Sequence, residues 1–303
     1  MLSLFQHKAV VDPSAVTLVL YHGHCPDGLG AAWAAWKRLG DQARYVACDH
    51  GGDVPDVTGA VVVILDFSFK RDVLRHMVET ARQLLVIDHH ASALEELKEL
   101  PAENQAFDLG HSGAILAWHF FHRDRMPPQF LFYVEDRDLW TWRLKDAREI
   151  CAGLDTVDPS FAAWDALDAP GALQLLKARG EPLLAFRKAL VDGIMANSEE
   201  NVLDGYVCRV VNVNAPQLIS QVGDALLSKY KVPIALLWYV DHKAQQYKVS
   251  LRSGPGVDCS VLAVEWGGGG HPQACGFTVK RTSPRYEYFV DRIIHLDVPR
   301  ISV

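Results

Sequence analysis

Three apolar runs in the first third of the chain each end in acidic or imidazole groups. Thr17–Tyr21 leads into His22-Gly23-His24-Cys25-Pro26-Asp27-Gly28, Ala60–Leu65 ends at Asp66, and Leu84–Ile87 ends at Asp88-His89-His90. A further acidic group, Glu135-Asp136-Arg137-Asp138, follows another apolar stretch. Carboxylates packed together repel one another, and bound cations relieve that repulsion. Mixed Asp and imidazole donors suit Mn²⁺ or a similar divalent ion better than Ca²⁺. A carboxylate shared by two ions about 4 Å apart allows activation of water and stabilisation of a leaving oxygen in phosphoryl transfer.

Each group taken singly has a plainer explanation, because an Asp after a strand often serves as a turn or helix cap. Their repetition at the ends of successive runs is what points to a metal centre. The run AVVVILD also has the look of the acidic strand of a P-loop ATPase. No G-x-x-x-x-G-K-[ST] accompanies it, so that reading fails.

The elements that must position these groups follow from the pattern. Continuous Val/Ile/Leu runs read as buried strands at 17–21, 44–48, 60–65 and 84–87. Helical patterns lie between and after them, at 29–39, 70–81 and 92–100. Such alternation predicts a doubly wound, mainly parallel sheet covered on both faces. In that arrangement the carboxyl ends of the strands share one edge. Residues 112–200 read as mainly helical, with Glu181–Asn201 as one helix connecting to a second alternating section. The expected fold class is therefore α/β with two domains. A catalytic domain spans 1–180, a helical connector 181–204, and a smaller α/β domain 205–303, with the active site in a cleft between the domains.

In the second section the glycine run Gly267–Gly270, followed by His271, lies between a helical stretch and a strand. Glycines let a backbone approach a phosphate and turn its N–H groups towards it. Gly268, Gly269, Gly270, His271 and Arg252 are the substrate-binding candidates, the two cationic side chains adding charge-assisted hydrogen bonds.

The chain has 303 residues, 49% of them hydrophobic and 22% charged. The net charge of −7 is uneven. Residues 1–200 hold 19 Lys/Arg and 29 Asp/Glu (−10), and 201–303 hold 11 and 8 (+3). An acidic part fits cation binding and a mildly basic part fits a phosphate-bearing ligand. Neither is a basic surface for long duplex nucleic acid. No run of 18 apolar residues is present and no signal-peptide pattern is recognised, so the expectation is a cytoplasmic protein without a membrane partner. The six cysteines form no C-x-x-C pair, which argues against a disulfide scaffold and a structural zinc site.

Asp88-His89-His90 after an apolar strand resembles the signature triplet of the DHH phosphoesterase superfamily. HGHCPDGLGAAW resembles that family's first motif and Asp66 its second. Asp136, with Asp138 as the alternative, matches its fourth. GGGGHPQACGF resembles the glycine motif of the DHH-associated C-terminal domain. The resemblance spans roughly residues 16–140 and 205–280. It implies that His22, Asp27, Asp66, Asp88, His89 and Asp136 hold two divalent ions, Mn²⁺ first and Mg²⁺ or another ion second. It also implies that Asp66 bridges them, and that His90, Asp66 and Asp136 are catalytic. Many relatives carry their first Asp where Cys25 stands, with Asp27 at the second, so His24 and Cys25 remain alternative ligands in the first motif and Asp138 in the fourth.

Relatives include RecJ-like exonucleases, nanoRNases, cyclic-dinucleotide phosphodiesterases, pyrophosphatases and polyphosphatases. The expected activity is hydrolysis of short oligonucleotides or of small di- or cyclic nucleotides. An inorganic pyrophosphatase or exopolyphosphatase is the alternative, and a catalytically silent binding protein is a third reading. The expected partner is a small phosphate ester, and a homodimer is compatible with the chain.

Overall fold

The computed structural model describes residues 11–295, apart from residues 24, 50, 92 and 124 and the side chain of residue 95. The chain divides into two units, Met1–Leu184 and Ala185–Val303.

Unit 1 contains five strands: β1 (Leu18–His22), β2 (Arg44–Cys48), β3 (Val61–Leu65), β4 (Gln83–Asp88) and β5 (Gln105–Phe107). They form one parallel sheet in the order β2-β1-β3-β4-β5. Its helices are α1 (Pro26–Leu39), α2 (Arg71–Thr80), α3 (Ala93–Leu97), α4 (Gly113–Phe121), α5 (Gln129–Asp138), α6 (Ala147–Leu154) and α7 (Phe161–Asp165). Strand side chains alternate between two cores. Val19, Val61, Val63, Leu65, Leu85 and Ile87 pack with α1, α4 and α5. Leu18, Leu20, Val62, Ile64, Leu84 and Val86 pack with α2 and α3 on the opposite face. Burial on both faces is why these strands read as unbroken apolar runs.

The strand order reverses direction between β1 and β3. A doubly wound sheet opens a crevice at such a switch point, beyond the carboxyl ends of the strands. His22 ends β1 and Asp66 follows β3, so both stand at that point.

Helix α1 has local reasons to start where it does. Pro26 occupies its first turn, where a missing N–H costs nothing. Asp27 adds negative charge at the positive end of the helix. A Cβ on Gly28 would lie 2.2 Å from the His22 carbonyl oxygen, so only glycine lets the helix turn back this closely on β1.

A 25-residue helix, α8 (Ala172–Ala196), carries the division between the units. It begins earlier and ends sooner than the expected Glu181–Asn201 helix. Glu199–Leu203 is instead strand β6, which recovers its backbone hydrogen bonds by pairing with β7 (Tyr206–Asn212). Unit 2 continues with α9 (Ile219–Tyr230), β8 (Ile234–Asp241), β9 (Gln246–Ser253), α10 (Ser260–Glu265), β10 (Gly269–His271) and β11 (Ala274–Lys280). Its sheet order is β10-β11-β9-β8-β7-β6. Only β7 and β8 pair in parallel, joined through α9; the remaining pairs are antiparallel. Ile234, Leu236 and Trp238 face one core and Ala235 and Leu237 the other.

No helix among the described residues is long and apolar enough to cross a membrane.

Candidate metal centre

The carboxyl edge of the unit 1 sheet collects five groups around Asp66. His89 Nε2 lies 3.1 Å from Asp66 Oδ1, 3.4 Å from Asp138 Oδ2 and 3.6 Å from Asp27 Oδ2. His90 Nδ1 lies 3.8 Å from Asp66 Oδ1, and His22 Nδ1 lies 3.5 Å from Asp66 Oδ2. The donors fall into three sets whose ligand atoms lie within 4.8 Å of one another: Asp66 with Asp88, His89 and His90; Asp66 with His22 and Cys25; and Asp27 with His89 and Asp138. Asp66 is common to the first two sets and His89 to the first and third.

Local backbone fixes these positions. Asp66 has φ of 54°, a left-handed conformation that Asp tolerates better than most residues. Its N–H donates to the Ile87 carbonyl at 3.0 Å, holding the turn against β4. A Cβ on Gly113 would come within 2.4 Å of the Asp66 Cβ, so the start of α4 approaches Asp66 as only glycine can. The N–H groups of Gly113 and Ala114, at that helix start, donate to Asp27 Oδ2 and Oδ1 at 2.6 and 3.0 Å. The start of this helix is thus occupied by the protein's own Asp27.

Asp88 takes a bond from Ser68 Oγ on Oδ2 at 2.7 Å. Its Oδ1 accepts from the His89 N–H at 2.7 Å and lies 2.8 Å from His90 Nδ1. Asp88 therefore both joins the donor set and orients His90.

Electrostatics at this edge favours a cation. Burial pushes the Asp27 carboxyl well above its usual range, and the charges of Asp66 and Asp138 push it further. Burial raises Asp138 as well. Burial also opposes ionisation of Asp66, but the imidazoles of His22, His89 and His90 outweigh it and hold the carboxyl at about 2. Burial opposes a charge on His89, yet Asp66, Asp27 and Asp138 raise its pKa to about 9. Asp66 Oδ2 is buried and finds no well-formed hydrogen bond in its surroundings. Clustered carboxylates with such an atom among them, mixed with imidazoles, fit a divalent ion.

The acidic group at the end of α5 separates by role. The Asp136 carboxylate accepts from the Arg143 and Leu144 N–H groups at 2.8 and 3.0 Å and from the Thr141 hydroxyl. Burial works against its charge, but these bonds lower its pKa. It ties down the turn after α5 and is not among the residues gathered about Asp66. Asp138, two residues on, faces His89 instead. Glu135 turns to His111 Nδ1 and the Ser112 N–H, at 3.1 and 2.9 Å, and Arg137 pairs with Asp155. Cys25 caps α1 through its backbone position, and burial, with Asp66 and Asp27 beside it, drives its thiol up to about 12. His24 lies outside the described residues.

Sequence reasoning passed over Ser68 and did not foresee how closely Gly113 approaches Asp66. The only signal for Gly113 was a glycine opening a helical run, which ordinary capping also explains.

In unit 2, Arg252 donates to Ser220 Oγ at 3.2 Å and to the Leu251 carbonyl at 2.9 Å. Its stem lies across α9, where a Cβ on Gly223 would sit 2.7 Å from the Arg252 Cγ. Gly269, Gly270 and His271 form β10, paired with β11. Gly268 and Gly270 are held tightly, since added Cβ atoms would come within 2.1 Å of the Gly276 carbonyl and 2.6 Å of the Cys275 Cα. His271 is exposed at the end of this strand.

Residues 204–296 match the DHHA1 domain family. Over 293 residues the chain is 28% identical to an uncharacterized protein of Acanthamoeba polyphaga mimivirus, covering 89% of this chain and 69% of that one. Among solved structures it is similar to the pGpG-specific phosphodiesterase PggH from Vibrio cholerae, with a TM-score of 0.51 and 16% identity over 88% of this chain and 94% of that chain. An exopolyphosphatase-related protein from Bacteroides fragilis is similar at 15% identity and a TM-score of 0.49, covering 92% and 91% of the two chains. At such identities the likeness to these structures is one of fold.

Proposed function

We propose that the chain is a metal-dependent phosphoesterase of the DHH superfamily and that it hydrolyses phosphodiester bonds in short oligonucleotides or small di- or cyclic nucleotides. The observation that carries the reading is the convergence of Asp27, Asp66 and Asp138 on His89, with a buried Asp66 oxygen that lacks a well-formed hydrogen bond.

Divalent ions, two Mn²⁺ in this proposal with Mg²⁺ as the substitute, would supply the Lewis acidity that activates water and the leaving oxygen. His22, Asp27, Asp66, Asp88, His89 and Asp138 are the residues that would hold them, with Asp66 shared. The Gly113 and Ala114 N–H groups fix the Asp27 carboxylate. His90, oriented by Asp88, would donate a hydrogen bond to a phosphoryl oxygen. On unit 2, Arg252, His271 and the glycine run offer groups that suit a phosphate remote from the reacting bond.

A cavity of about 240 Å³ beside the centre favours an organic substrate over an inorganic one. Asp66, Asp88 and His90 line it together with Phe67, Phe69, Val54 and Val73, which give it apolar surface beside the charged Asp49, Lys70 and Glu96. Inorganic pyrophosphate has no apolar part to place there.

The test is a hydrolysis panel with Mn²⁺ covering pApA, a short RNA, cyclic di-AMP, pyrophosphate and polyphosphate. Asp66→Asn is the control, because Asn keeps the left-handed turn and removes the charge. Cleavage of a nucleotide substrate that is lost in the control is the expected result. Cleavage of the inorganic substrates alone would replace the nucleotide reading. Silence on the whole panel would sink both and leave a binding protein.

A further inference from the structure

Cys259 and Cys275 are sixteen positions apart in sequence, yet their sulfurs lie 3.1 Å apart in the core of unit 2. Cys259 is fully buried at the start of α10, and Cys275 in β11 is 6% exposed. The backbone around them is already tied together. The Cys259 N–H donates to the Pro272 carbonyl at 2.7 Å. Ser253 N–H donates to the Gln273 carbonyl at 3.2 Å, and Ser253 Oγ reaches the Pro272 carbonyl. Cys275 pairs with Gly270 across the β10–β11 hairpin and with Leu251 of β9. The two sulfurs thus join the start of α10 to the hairpin that carries the glycine run and His271.

A disulfide bond is about 2.05 Å long, so closure needs an approach of only about 1 Å from the present geometry. The chemistry around the pair suits it. Cys275 directs its S–H at the Cys259 sulfur. That bond, helped by Ser253 and the Arg252 guanidinium, lowers the Cys259 thiol pKa despite burial. Burial in turn lowers the Arg252 pKa, and the groups acting to keep it charged are these two sulfurs. A neighbouring cation and a second thiol are what lower a cysteine's pKa towards the reactive thiolate.

We propose that Cys259 and Cys275 are a redox dithiol that hydroperoxides of low molecular weight close into an intramolecular disulfide, stiffening the β10–β11 hairpin. The Cys259 sulfur, whose thiol pKa the Cys275 S–H and Arg252 lower, attacks the terminal peroxide oxygen. The O–O bond breaks, the thiol proton goes to the departing oxygen, and a sulfenic acid and one water or alcohol result. The Cys275 sulfur then attacks the Cys259 sulfur. The S–S bond forms, the S–O bond breaks, and hydroxide leaves with the Cys275 proton as water. Two thiols are oxidised by two electrons in total, and the peroxide is reduced by the same two.

The experiment uses the full chain, reduced and then treated with hydrogen peroxide under native conditions. Intact mass and peptide mapping without reductant should show the loss of two hydrogens and a Cys259–Cys275 cross-link, reversed by dithiothreitol. Hydrogen exchange of residues 268–275 should slow by about tenfold or more in the oxidised form. Cys275→Ala should give no cross-link, and should that variant fail to fold, the wild-type comparison with and without reductant stands alone. Recovery of the two cysteines as free thiols, as separate sulfinic acids, or linked to other cysteines would overturn the proposal. A cross-link with unchanged exchange would overturn the stiffening.

Discussion

In unit 1 the candidate chemistry is carried by side chains at the ends of three parallel strands, whereas in unit 2 much of it is backbone. Around Asp66, buried carboxylates and imidazoles crowd together and shift one another's proton affinities in both directions. Around Gly268–Gly270 no carboxylate is among the candidates, and Gly268 and Gly270 are packed so tightly that a methyl group on either would collide with β11. The difference matches the tasks proposed for the two. Holding cations requires concentrated negative charge, while gripping a phosphate requires donors and close approach.

The largest expected effect breaks the first half of that comparison. Asp66→Asn should lower kcat/KM by about 10³-fold or more, the scale of removing a principal electrostatic group, with the fold retained by circular dichroism. Next come the two acids at the end of α5. Asp138→Asn should weaken Mn²⁺ binding by about 10- to 100-fold, measured by calorimetry. Asp136→Asn should change it by less than about twofold and instead cost about 1 kcal/mol of stability through weakened bonds to the turn. Equal metal affinities in the two variants would undo the separation of roles drawn here.

On unit 2, His271→Ala should raise KM by about tenfold, the value of one charge-assisted hydrogen bond, with kcat nearly unchanged. A loss confined to kcat would move His271 out of substrate holding.

The smallest effect lies away from both regions. His122 is buried beside α1, where its Nε2 lies 2.8 Å from the Ala34 carbonyl, and burial lowers its pKa below 6.5. Below that pH the unfolded chain takes up a proton that the folded one refuses. Stability should therefore be complete above about pH 6.5 and decline as pH falls towards the folded pKa. His122→Gln should flatten this part of the profile in thermal unfolding, and an identical slope would assign it to other groups.

Much of unit 1 was legible because its strands are buried on both faces and punctuated by the groups they position. Asp66, Asp88 and His89 could be placed on one edge without knowing how far apart they lie. Asp136 and Asp138 could not be separated this way. Residues two apart on a helix point nearly opposite ways, and which one faces the centre depends on the rotation of α5. The turn at Arg143 and Leu144 claims Asp136, and no local pattern announces that. The short strands β5, β6 and β10 also escaped the reading, since three to five residues carry little periodicity. Cys259 and Cys275 read as unrelated thiols because only the β9–β11 pairing and the start of α10 bring them together.

The left-handed backbone at Asp66 has an evolutionary consequence. That conformation is comfortable for glycine and tolerable for Asn and Asp, while the neighbouring imidazoles call for a negative charge. Of the three, Asp alone meets both demands. A lineage released from selection for catalysis can drift to Asn or Gly at this codon and keep the fold intact. Silent descendants of such a protein would therefore be expected to look well folded, with their loss of function written in a single residue at the end of β3.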